Sequence, residues 1–327
     1  MDTPCAVIQT VKSLVADAEF QSRHRVKAKY FTRNRVLTFS IVLVLLLQKS
    51  VKSLQLVLNE FFGTLALMVA LPVLTVTHSA FSQARQKLSH TAFIELLQTA
   101  VVDQYYATPS YQTWQGMRLV AVDGSKIRLP DTQAIRKAFG TTPVANQYAA
   151  DLGVQPWALA SVCYDLLNEI PLDATLAPGN AYEVDLALGH LHALRPNDLL
   201  IGDMNYPSYR FLAELSVLRQ TRGCHFLLRC SSGSFAPVRQ LFAPDAPASV
   251  RMTLTVPSSK RRDITRLGLP RQITVRGVRV LLDNGTVEVL VTSLLDESSY
   301  PPVVFKELYK LRWGVETLYD RLKNLLT

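Results

Sequence analysis

The stretch VVFKELYKLRWGVETLYDRLKNLL, residues 303–326, decides how the rest of the chain is interpreted. On a helix of 3.6 residues per turn, four polar side chains fall within about 60° of one another: Tyr309, Arg312, Glu316 and Lys323. The opposite side carries an apolar stripe made of Leu311, Val315, Leu318, Leu322 and Leu325. We predict an amphipathic helix that packs through this stripe and turns one carboxylate, two cations and a phenol away from it. Taken alone, the polar stripe is best explained as solvated surface charge.

The composition indicates a globular chain with a polyanionic partner. The 327 residues are 48% hydrophobic and 19% charged, enough to bury sizeable cores. The net charge of +9, from 35 Lys and Arg against 26 Asp and Glu, favours nucleic acid or an anionic membrane surface. Four cysteines lack metal-binding spacing: Cys5, Cys163, Cys224 and Cys230. We expect them to be reduced and mostly buried, in a cytoplasmic protein.

Neither a secretory signal nor a membrane span is predicted. The N-terminus lacks a basic stretch followed by an apolar run and a small-residue cleavage site. The apolar runs at residues 36–47 and 64–74 are 12 and 11 residues long. A bilayer span needs about 18 or more residues. Both runs are therefore predicted to be buried helices.

Residues 1–108 are predicted to form a helical DNA-binding region. The pattern indicates helices over residues 3–17, 32–49, 53–62, 77–88 and 91–106. The segment RHRVKAKYFTRNR, residues 23–35, has six Lys or Arg, two aromatic residues and no acid, which suits phosphate contacts. The candidate DNA-binding residues are Arg33, Arg35, Arg85 and Lys87. A solvated basic linker and a plain packing bundle are the alternatives.

Residues 116–230 are predicted to be the first part of a mixed α/β sheet of the ribonuclease H type. Strands are expected over residues 118–122, 156–164, 170–176, 198–202 and 225–229, with helices over 180–194 and 207–219. Asp123 and Asp203 each follow a short apolar strand, where α/β sheets place their chemistry. For each aspartate alone, a role in a turn or helix cap is the alternative.

Residues 231–286 are predicted to be a β-rich insertion, with strands over 251–256 and 271–282. A third strand at 287–294 follows the turn sequence Asp283-Asn284-Gly285, which is typical of a hairpin. We expect this strand to return to the core sheet and residues 287–327 to complete the core with the glutamate-bearing helix.

Asp123, Asp203 and Glu316 suit metal-dependent phosphoryl transfer. Magnesium prefers carboxylate oxygens together with water and substrate phosphate, and a metal pair stabilises both the attacking and leaving oxygens. Three acids without nearby histidine or cysteine favour Mg²⁺, with Mn²⁺ as the alternative, over zinc. No Walker-type phosphate loop is present, so ATP is not expected.

These residues resemble the DD(E) transposases of bacterial insertion sequences, in the branch with a Tyr-x2-Arg-x3-Glu-x6-Lys signature. Tyr309, Arg312, Glu316 and Lys323 match that spacing in full. The segments VAVDGS and LLIGDMNYPSY resemble the contexts of the family's first and second aspartates. The resemblance covers most of the chain, and the four-residue signature is its specific part.

The resemblance implies a ribonuclease H-like core, interrupted by a β insertion, that cleaves transposon ends and joins them to target DNA. It implies that the metal ligands are Asp123, Asp203 and Glu316. It also implies that Tyr309, Arg312 and Lys323 bind phosphates of double-stranded DNA. It also implies a dimer within the DNA complex. The alternatives are a related ribonuclease H-like nuclease without strand transfer and a catalytically dead DNA-binding remnant.

One departure from the family concerns length. The sequence stops at Thr327, four residues after Lys323, whereas members of the family continue well beyond this point. The resemblance therefore predicts a truncated copy or a frameshifted element.

Overall fold

The structure is a computed structural model, and it describes residues 3–33, 35–48, 52–69, 74–143 and 154–326. The chain divides into two compact units. The first comprises residues 1–111 together with 321–327, and the second comprises residues 112–320. All four cysteines are free, and three of them are buried, as predicted.

The first unit is helical, in agreement with the sequence pattern. Its helices are α1 (Thr3–Ala16), α2 (Ala18–Arg23), α3 (Phe39–Leu47), α4 (Leu54–Val69), α5 (His78–Arg85), α6 (Thr91–Glu95) and α7 (Asp103–Tyr105), with a π-helical segment, Leu96–Val102, between the last two. The side chains of Asp17, Thr38 and Thr77 cap α2, α3 and α5 by accepting a backbone N–H three residues ahead. The buried core contains Phe20, Phe39, Leu58, Phe62 and Phe81.

The prediction of a helix from residue 32 was wrong at its start, because α3 begins at Phe39. Thr38 caps the helix by accepting the N–H of Ile41 at 3.3 Å. Phe31 has a φ of 55°, and its ring packs edge-on against Phe39 at a centroid distance of 5.6 Å. A left-handed phenylalanine followed by an extended cap residue keeps the intervening segment out of the helix.

The two apolar runs differ in how far their side chains are buried in the structure. Phe39, Val42, Leu43 and Leu45 of α3 are buried, as predicted. In the second run, residues 70–73 lie outside the described residues. Leu67 and Met68 on α4 are 86% and 77% exposed, so the prediction of a buried helix was wrong at these positions. Within the described residues, no helix is long and apolar enough to cross a membrane.

The second unit is built on a mixed sheet. Its strands are β1 (Arg118–Arg128), β4 (Trp157–Asp165), β5 (Ile170–Pro178), β6 (Asp198–Gly202), β7 (His225–Cys230), β8 (Ser249–Thr255), β9 (Gln272–Leu281) and β10 (Val287–Thr292), while β2 (Thr142–Pro143) and β3 (Val154–Gln155) form a separate pair. Among the described residues, the eight-stranded sheet has the order β5-β4-β1-β6-β7-β10-β9-β8. The α-helices after residue 112 are α8 (Gln133–Phe139), α9 (Glu183–His190), α10 (Tyr209–Arg222), α11 (Ala236–Arg239), α12 (Arg261–Arg266), α13 (Val304–Lys310) and α14 (Gly314–Leu326).

The strand order confirms the predicted mixed α/β sheet of the ribonuclease H type. β4 and β5 pair antiparallel beside β1, whereas β6 and β7 follow β1 in parallel. The predicted hairpin joins β9 to β10, with Gly285 at a φ of 81° in its turn. β8 and β9, which lie in the predicted insertion, extend the same sheet through β10.

A buried ion pair fixes the parallel register of β1 on β6. Arg118 and Asp198 are direct partners in the ladder. The guanidinium donates two hydrogen bonds to the carboxylate, at 2.8 and 2.6 Å, and the two side chains are 4% and 2% exposed. A shift by one residue would leave both charges unpaired in the interior, which is costly.

The orientation predicted for the C-terminal helix was right at Val315 but wrong at Tyr309, Leu311 and Arg312. A 3₁₀ turn, Leu311–Trp313, separates α13 from α14. In a 3₁₀ turn, side chains three residues apart lie above one another. Tyr309, Arg312 and Val315 are accordingly all buried, whereas Leu311 of the predicted packing stripe is 40% exposed.

Candidate active site

Asp123 and Asp203 are brought together by the parallel pairing of β1 and β6. Ala121 lies opposite Ile201 in the ladder, and each aspartate follows two residues later. Because side chains alternate along a strand, both carboxylates occur on the same face. β6 ends at Gly202, but β1 continues to Arg128 along β4, so Asp123 is half-buried within a strand. The expectation that Asp123 would follow the end of a strand was therefore wrong.

The glycines beside the aspartates allow close packing. A Cβ atom at position 202 would lie 2.7 Å from Leu228 Cδ2, closer than carbon atoms pack. A Cβ atom at position 124 would lie 3.0 Å from the carboxylate Oε1 of Glu183. The backbone next to each aspartate is therefore approached closely by another part of the second unit.

The pKa of Asp123 is raised to about 6. Burial is the main cause, and the negative charges of Asp203 and Glu316 add to it. The Gly124 N–H, which donates to Asp123 Oδ1 at 3.0 Å, and the Arg312 guanidinium act in the opposite direction. Asp203, Glu316 and Arg312 are thus all close enough to Asp123 to influence its charge.

Glu316 comes from α14 and is held by an arginine of the same sequence signature. Arg312 Nη2 donates to Glu316 Oε1 at 2.7 Å. The arginine side chain is 6% exposed and the glutamate side chain is 39% exposed. The guanidinium carbon of Arg312 also lies 5.8 Å from the ring centroid of Tyr309 and 5.1 Å from that of Trp313.

Tyr319 ties α14 to the strand that carries Asp123, and the sequence interpretation did not include it. Its buried hydroxyl donates to the backbone carbonyl of Asp123 at 2.7 Å and lies 2.9 Å from that of Ala160. Tyr319 follows Glu316 by three residues, so the two side chains lie on the same side of α14. That spacing is the signal that points to this tyrosine.

Tyr309 is buried beside a second charged pair that the sequence interpretation also missed. Its hydroxyl has no hydrogen-bond partner within the described residues. Burial raises the pKa of Tyr309 to about 12, whereas the charges of Arg312 and Arg229 lower it. Arg229 Nη1 donates to Glu288 Oε1 at 2.6 Å across the β7–β10 pair.

The carboxylates suit a magnesium or manganese ion in chemistry, although the side chains are not gathered around one point. Among the described residues, no group of three or more His, Cys, Asp or Glu side chains is placed to hold a metal ion. Glu316 is directed to Arg312 instead. The donor set of Asp123, Asp203 and Glu316 consists of carboxylate oxygens, which these cations prefer, and their mutual repulsion favours a cation between them.

The predicted DNA-binding residues differ in exposure: Tyr309 and Arg312 are buried, Lys87 is half-buried, and the others are exposed. Arg33, Arg35 and Lys87 line one cleft of about 940 Å³ in the first unit, together with Tyr30 and Phe31. Lys87 Nζ lies 6.0 Å from the centre of the Tyr30 ring. Arg85 is exposed in the last turn of α5 and does not line this cleft. Lys323 is exposed on α14.

A hydrogen-bonded Ser–His–Asp triad occurs in the second unit, which the sequence interpretation did not anticipate. His190 bridges Ser161 Oγ at 3.0 Å and Asp173 Oδ2 at 2.7 Å. Ser161 and His190 are each 1% exposed. A nucleophile must reach its substrate, and Ser161 is buried. We therefore assign this triad a structural role, in which it joins the end of α9 to β4 and β5.

Comparisons with known proteins identify the family of the chain. A family model described as "Transposase DDE domain" matches residues 114–327. The chain is 26% identical, over 77% of its length and 54% of the relative's, to the transposase InsG for insertion sequence element IS4 of Escherichia coli K12. It is 27% identical, over 47% of its length and 50% of the relative's, to the putative transposase InsZ of the same strain.

The chain spans about half the length of these curated relatives. It is also similar to a solved structure, the cryo-EM structure of a piggyBac transposase synaptic complex with hairpin DNA, at a TM-score of 0.48 and 11% identity. That match covers 98% of this chain and 68% of the other. Because the family match extends from residue 114 to residue 327, well over half of the sequence, the chain belongs to the transposase DDE domain family.

Proposed function

We propose that the chain carries the catalytic part of an insertion-sequence transposase, which cleaves DNA at transposon ends and joins the ends to target DNA. One observation carries the proposal. Asp123 and Asp203 each lie two residues beyond Ala121 and Ile201, which are partners in adjacent parallel strands, and Glu316 comes from a helix that Tyr319 attaches to the strand of Asp123. The family match and the relatives named as insertion-sequence transposases support this assignment.

The family generally uses divalent metal ions, and we propose Mg²⁺, with Mn²⁺ as the alternative, for this chain. Asp123, Asp203 and Glu316 are the residues that would hold it. When bound, the cation supplies activation of an attacking oxygen and stabilisation of the leaving oxygen. For Glu316 to take part in cation binding, Arg312 must share or release the Glu316 carboxylate. A DNA phosphate is an anion that could then bind the released guanidinium.

We further propose that Tyr309, Arg312 and Lys323 bind phosphates close to the cleaved end. The unpartnered hydroxyl of Tyr309 is a donor that a phosphate oxygen would satisfy. Arg312 lies between Tyr309 and Glu316, which places a phosphate-binding group beside the carboxylates. Water is the proposed nucleophile for cleavage, and the freed 3′ hydroxyl is the nucleophile for joining.

The first unit is proposed to bind double-stranded DNA through the cleft that contains Arg33, Arg35 and Lys87, with Arg85 as a further contact. Cationic and aromatic side chains in one concave surface suit a sugar–phosphate backbone. We propose a cytoplasmic protein that acts as a dimer within the DNA complex. We keep the division into a DNA-binding region (1–108), a core (116–230 and 287–327) and a β-rich insertion (231–286).

The experiment is Mg²⁺-dependent nicking of a supercoiled plasmid that carries the DNA flanking the gene. Asp123→Asn, Asp203→Asn and Glu316→Gln should each lower nicking by about 100-fold or more, since each removes a charge required in the transition state. Asp245→Asn is the matched control, because Asp245 is exposed and influences none of the three carboxylates. Unchanged nicking in the three site variants would show that the site is assigned wrongly.

A second assay separates the proposed function from its alternatives. Oligonucleotides with pre-cleaved ends are incubated with the wild-type chain, target plasmid and Mg²⁺. A transposase joins the ends to the plasmid, a nuclease cuts without joining, and a catalytically dead remnant binds the DNA without doing either.

A further inference from the structure

Glu183 is a fourth acidic residue at the candidate active site, and no sequence motif includes it. It begins α9, a helix that packs on β1 and β4. Its carboxylate lies against the backbone immediately after Asp123, since a Cβ atom on Gly124 would meet Glu183 Oε1 at 3.0 Å and Cδ at 3.1 Å. Gly124 therefore leaves the space that the Glu183 side chain fills.

Glu183 also lies close to Asp203. Burial raises the pKa of Glu183, and the charge of Asp203 raises it further. Lys126 and a hydrogen bond from the Asn205 side chain act in the opposite direction. The backbone N–H of Asn205 donates to Asp203 Oδ1 at 2.8 Å, so one residue contacts both acids.

These carboxylates lack a permanent cation. In the described part of the chain, Asp123, Glu183 and Asp203 form no ion pair, although all three are partly buried. Other acids of the second unit are paired, for example Asp198 with Arg118 and Glu288 with Arg229. Partly buried carboxylates without a counterion are unfavourable unless a bound cation compensates them.

A buried phenol beside the same acids is a second, independent observation. Tyr206 is 0% exposed, and its hydroxyl has no hydrogen-bond partner among the described residues. Burial is the main cause of the raised pKa of this hydroxyl, and the charges of Asp123, Glu183 and Asp203 add to it, so it lies within range of the three carboxylates. A buried hydroxyl at this position is a donor that a ligand oxygen, such as water on a cation, would satisfy.

The position of Glu183 is fixed by the fold. The last residue of α9, His190, is held by hydrogen bonds to Ser161 on β4 and Asp173 on β5. Two residues after Glu183, Asp185 occupies the same helical turn but is exposed and pairs with Arg210 at 3.4 Å. The two acids share the start of α9, yet Glu183 alone of the pair approaches Gly124.

We propose that Glu183 is a fourth carboxylate of the cation-binding site, acting with Asp203 beside the hydroxyl of Tyr206. The proposal rests on the function proposed above, because it assumes that Asp123 and Asp203 bind a divalent cation. The competing explanation is that Glu183 merely stabilises the positive N-terminal end of α9. That role would affect folding stability and leave cation affinity unchanged.

The test measures Mn²⁺ binding to the full chain without DNA, using the electron paramagnetic resonance signal of free Mn²⁺. Wild type, Glu183→Gln, Asp203→Asn and Asp185→Asn are compared, and circular dichroism verifies that each variant is folded. We expect Glu183→Gln to weaken Mn²⁺ binding by about tenfold or more. Asp185→Asn, which removes the same charge from the same turn, should bind like the wild type.

A second variant of Glu183, which keeps the negative charge, separates a change in carboxylate position from misfolding. Glu183→Asp withdraws the carboxylate by one methylene group and should also weaken Mn²⁺ binding. If Asp203→Asn weakens binding while both Glu183 variants match the wild type, the role of Glu183 is refuted and the proposed function survives. If the wild type binds no Mn²⁺, the proposed cation site and the role of Glu183 both fail.

Discussion

At the scale of single residues, Arg312 has the most interactions in the candidate site. It donates to Glu316, lies beside Tyr309 and Trp313, and lowers the pKa of Asp123. Its Nε atom has no partner among the described residues. Arg312 therefore partly offsets the charges of Asp123 and Glu316, and its Nε is a donor that the proposed phosphate contact would use.

The Arg312–Glu316 contact predicts a measurable coupling. In a double-mutant cycle of Arg312→Met and Glu316→Gln, we expect the free energies of unfolding to be non-additive by about 1 kcal/mol. The value is modest because water screens the 39% exposed glutamate side chain. Urea denaturation of the four proteins measures it, and additive effects would mean that the pair does not form in solution.

The sequence predicts the signature residues but not their neighbours. Asp123, Asp203 and Glu316 follow from chemistry and spacing, and the structure places all three within electrostatic range. Glu183, Arg229 and Tyr319 carry no motif of their own. Glu183 and Arg229 reach the site through strand pairing and helix packing over long sequence separations, which a pattern of neighbouring residues does not encode.

At the scale of elements, the buried hydroxyl of Tyr319 attaches α14 to β1. The Tyr319 hydroxyl satisfies backbone carbonyls of Asp123 and Ala160, which belong to two paired strands. This contact determines how far Glu316 lies from the aspartates. The 3₁₀ turn before α14 could not be predicted, because Leu311–Trp313 contains neither proline nor glycine and a uniform helical period was assumed.

Replacing Tyr319 by phenylalanine should loosen this attachment. We expect a loss of about 1–2 kcal/mol in the free energy of unfolding, since a buried hydrogen bond is removed and its acceptors stay buried. Urea denaturation measures the loss. Tyr300→Phe is the control, because no hydrogen bond of its hydroxyl occurs within the described residues. Equal stability of the two variants would contradict the role assigned to Tyr319.

The β1–β6 pair should depend on its buried ion pair. Asp198→Ala removes the carboxylate that accepts two hydrogen bonds from the buried Arg118 guanidinium, so we expect a loss of about 3–5 kcal/mol in the free energy of unfolding. The double variant Arg118→Met with Asp198→Leu removes both charges and should be destabilised less. A single variant within 1 kcal/mol of the wild type, by the same denaturation experiment, would refute the importance of the pair.

At the scale of the whole molecule, the net charge of +9 favours the proposed binding of DNA. Electrostatic attraction supplies much of the non-specific affinity of proteins for DNA, and this affinity falls as the salt concentration rises. Composition predicts this attraction, but it does not predict where the cationic residues gather. The cleft with Arg33, Arg35 and Lys87 appears because the segment after α2 and the end of α5 line one surface.

This cleft predicts a change in salt dependence. Replacing Arg33, Arg35 and Lys87 together by glutamine should reduce the slope of log affinity against log salt by about 2.7, if each contacts one phosphate. Fluorescence anisotropy with a labelled duplex measures it between 50 and 200 mM salt, about the range over which the effect is large. A variant with Lys12, Lys137 and Arg222 replaced by glutamine is the charge-matched control. Equal slopes in the two variants would refute the cleft as a DNA contact.

The parallel pairing of β1 with β6 also bears on how the protein is made. Partners such as Arg118 and Asp198 are 80 residues apart, so a growing chain on the ribosome cannot close this ladder until β6 has emerged. Glu316 emerges later still, near the end of the described residues. A prematurely terminated product can therefore fold its early strands without possessing the glutamate that the proposed chemistry requires. Under the proposed function, translation thus delays DNA cleavage until Glu316 has been synthesised.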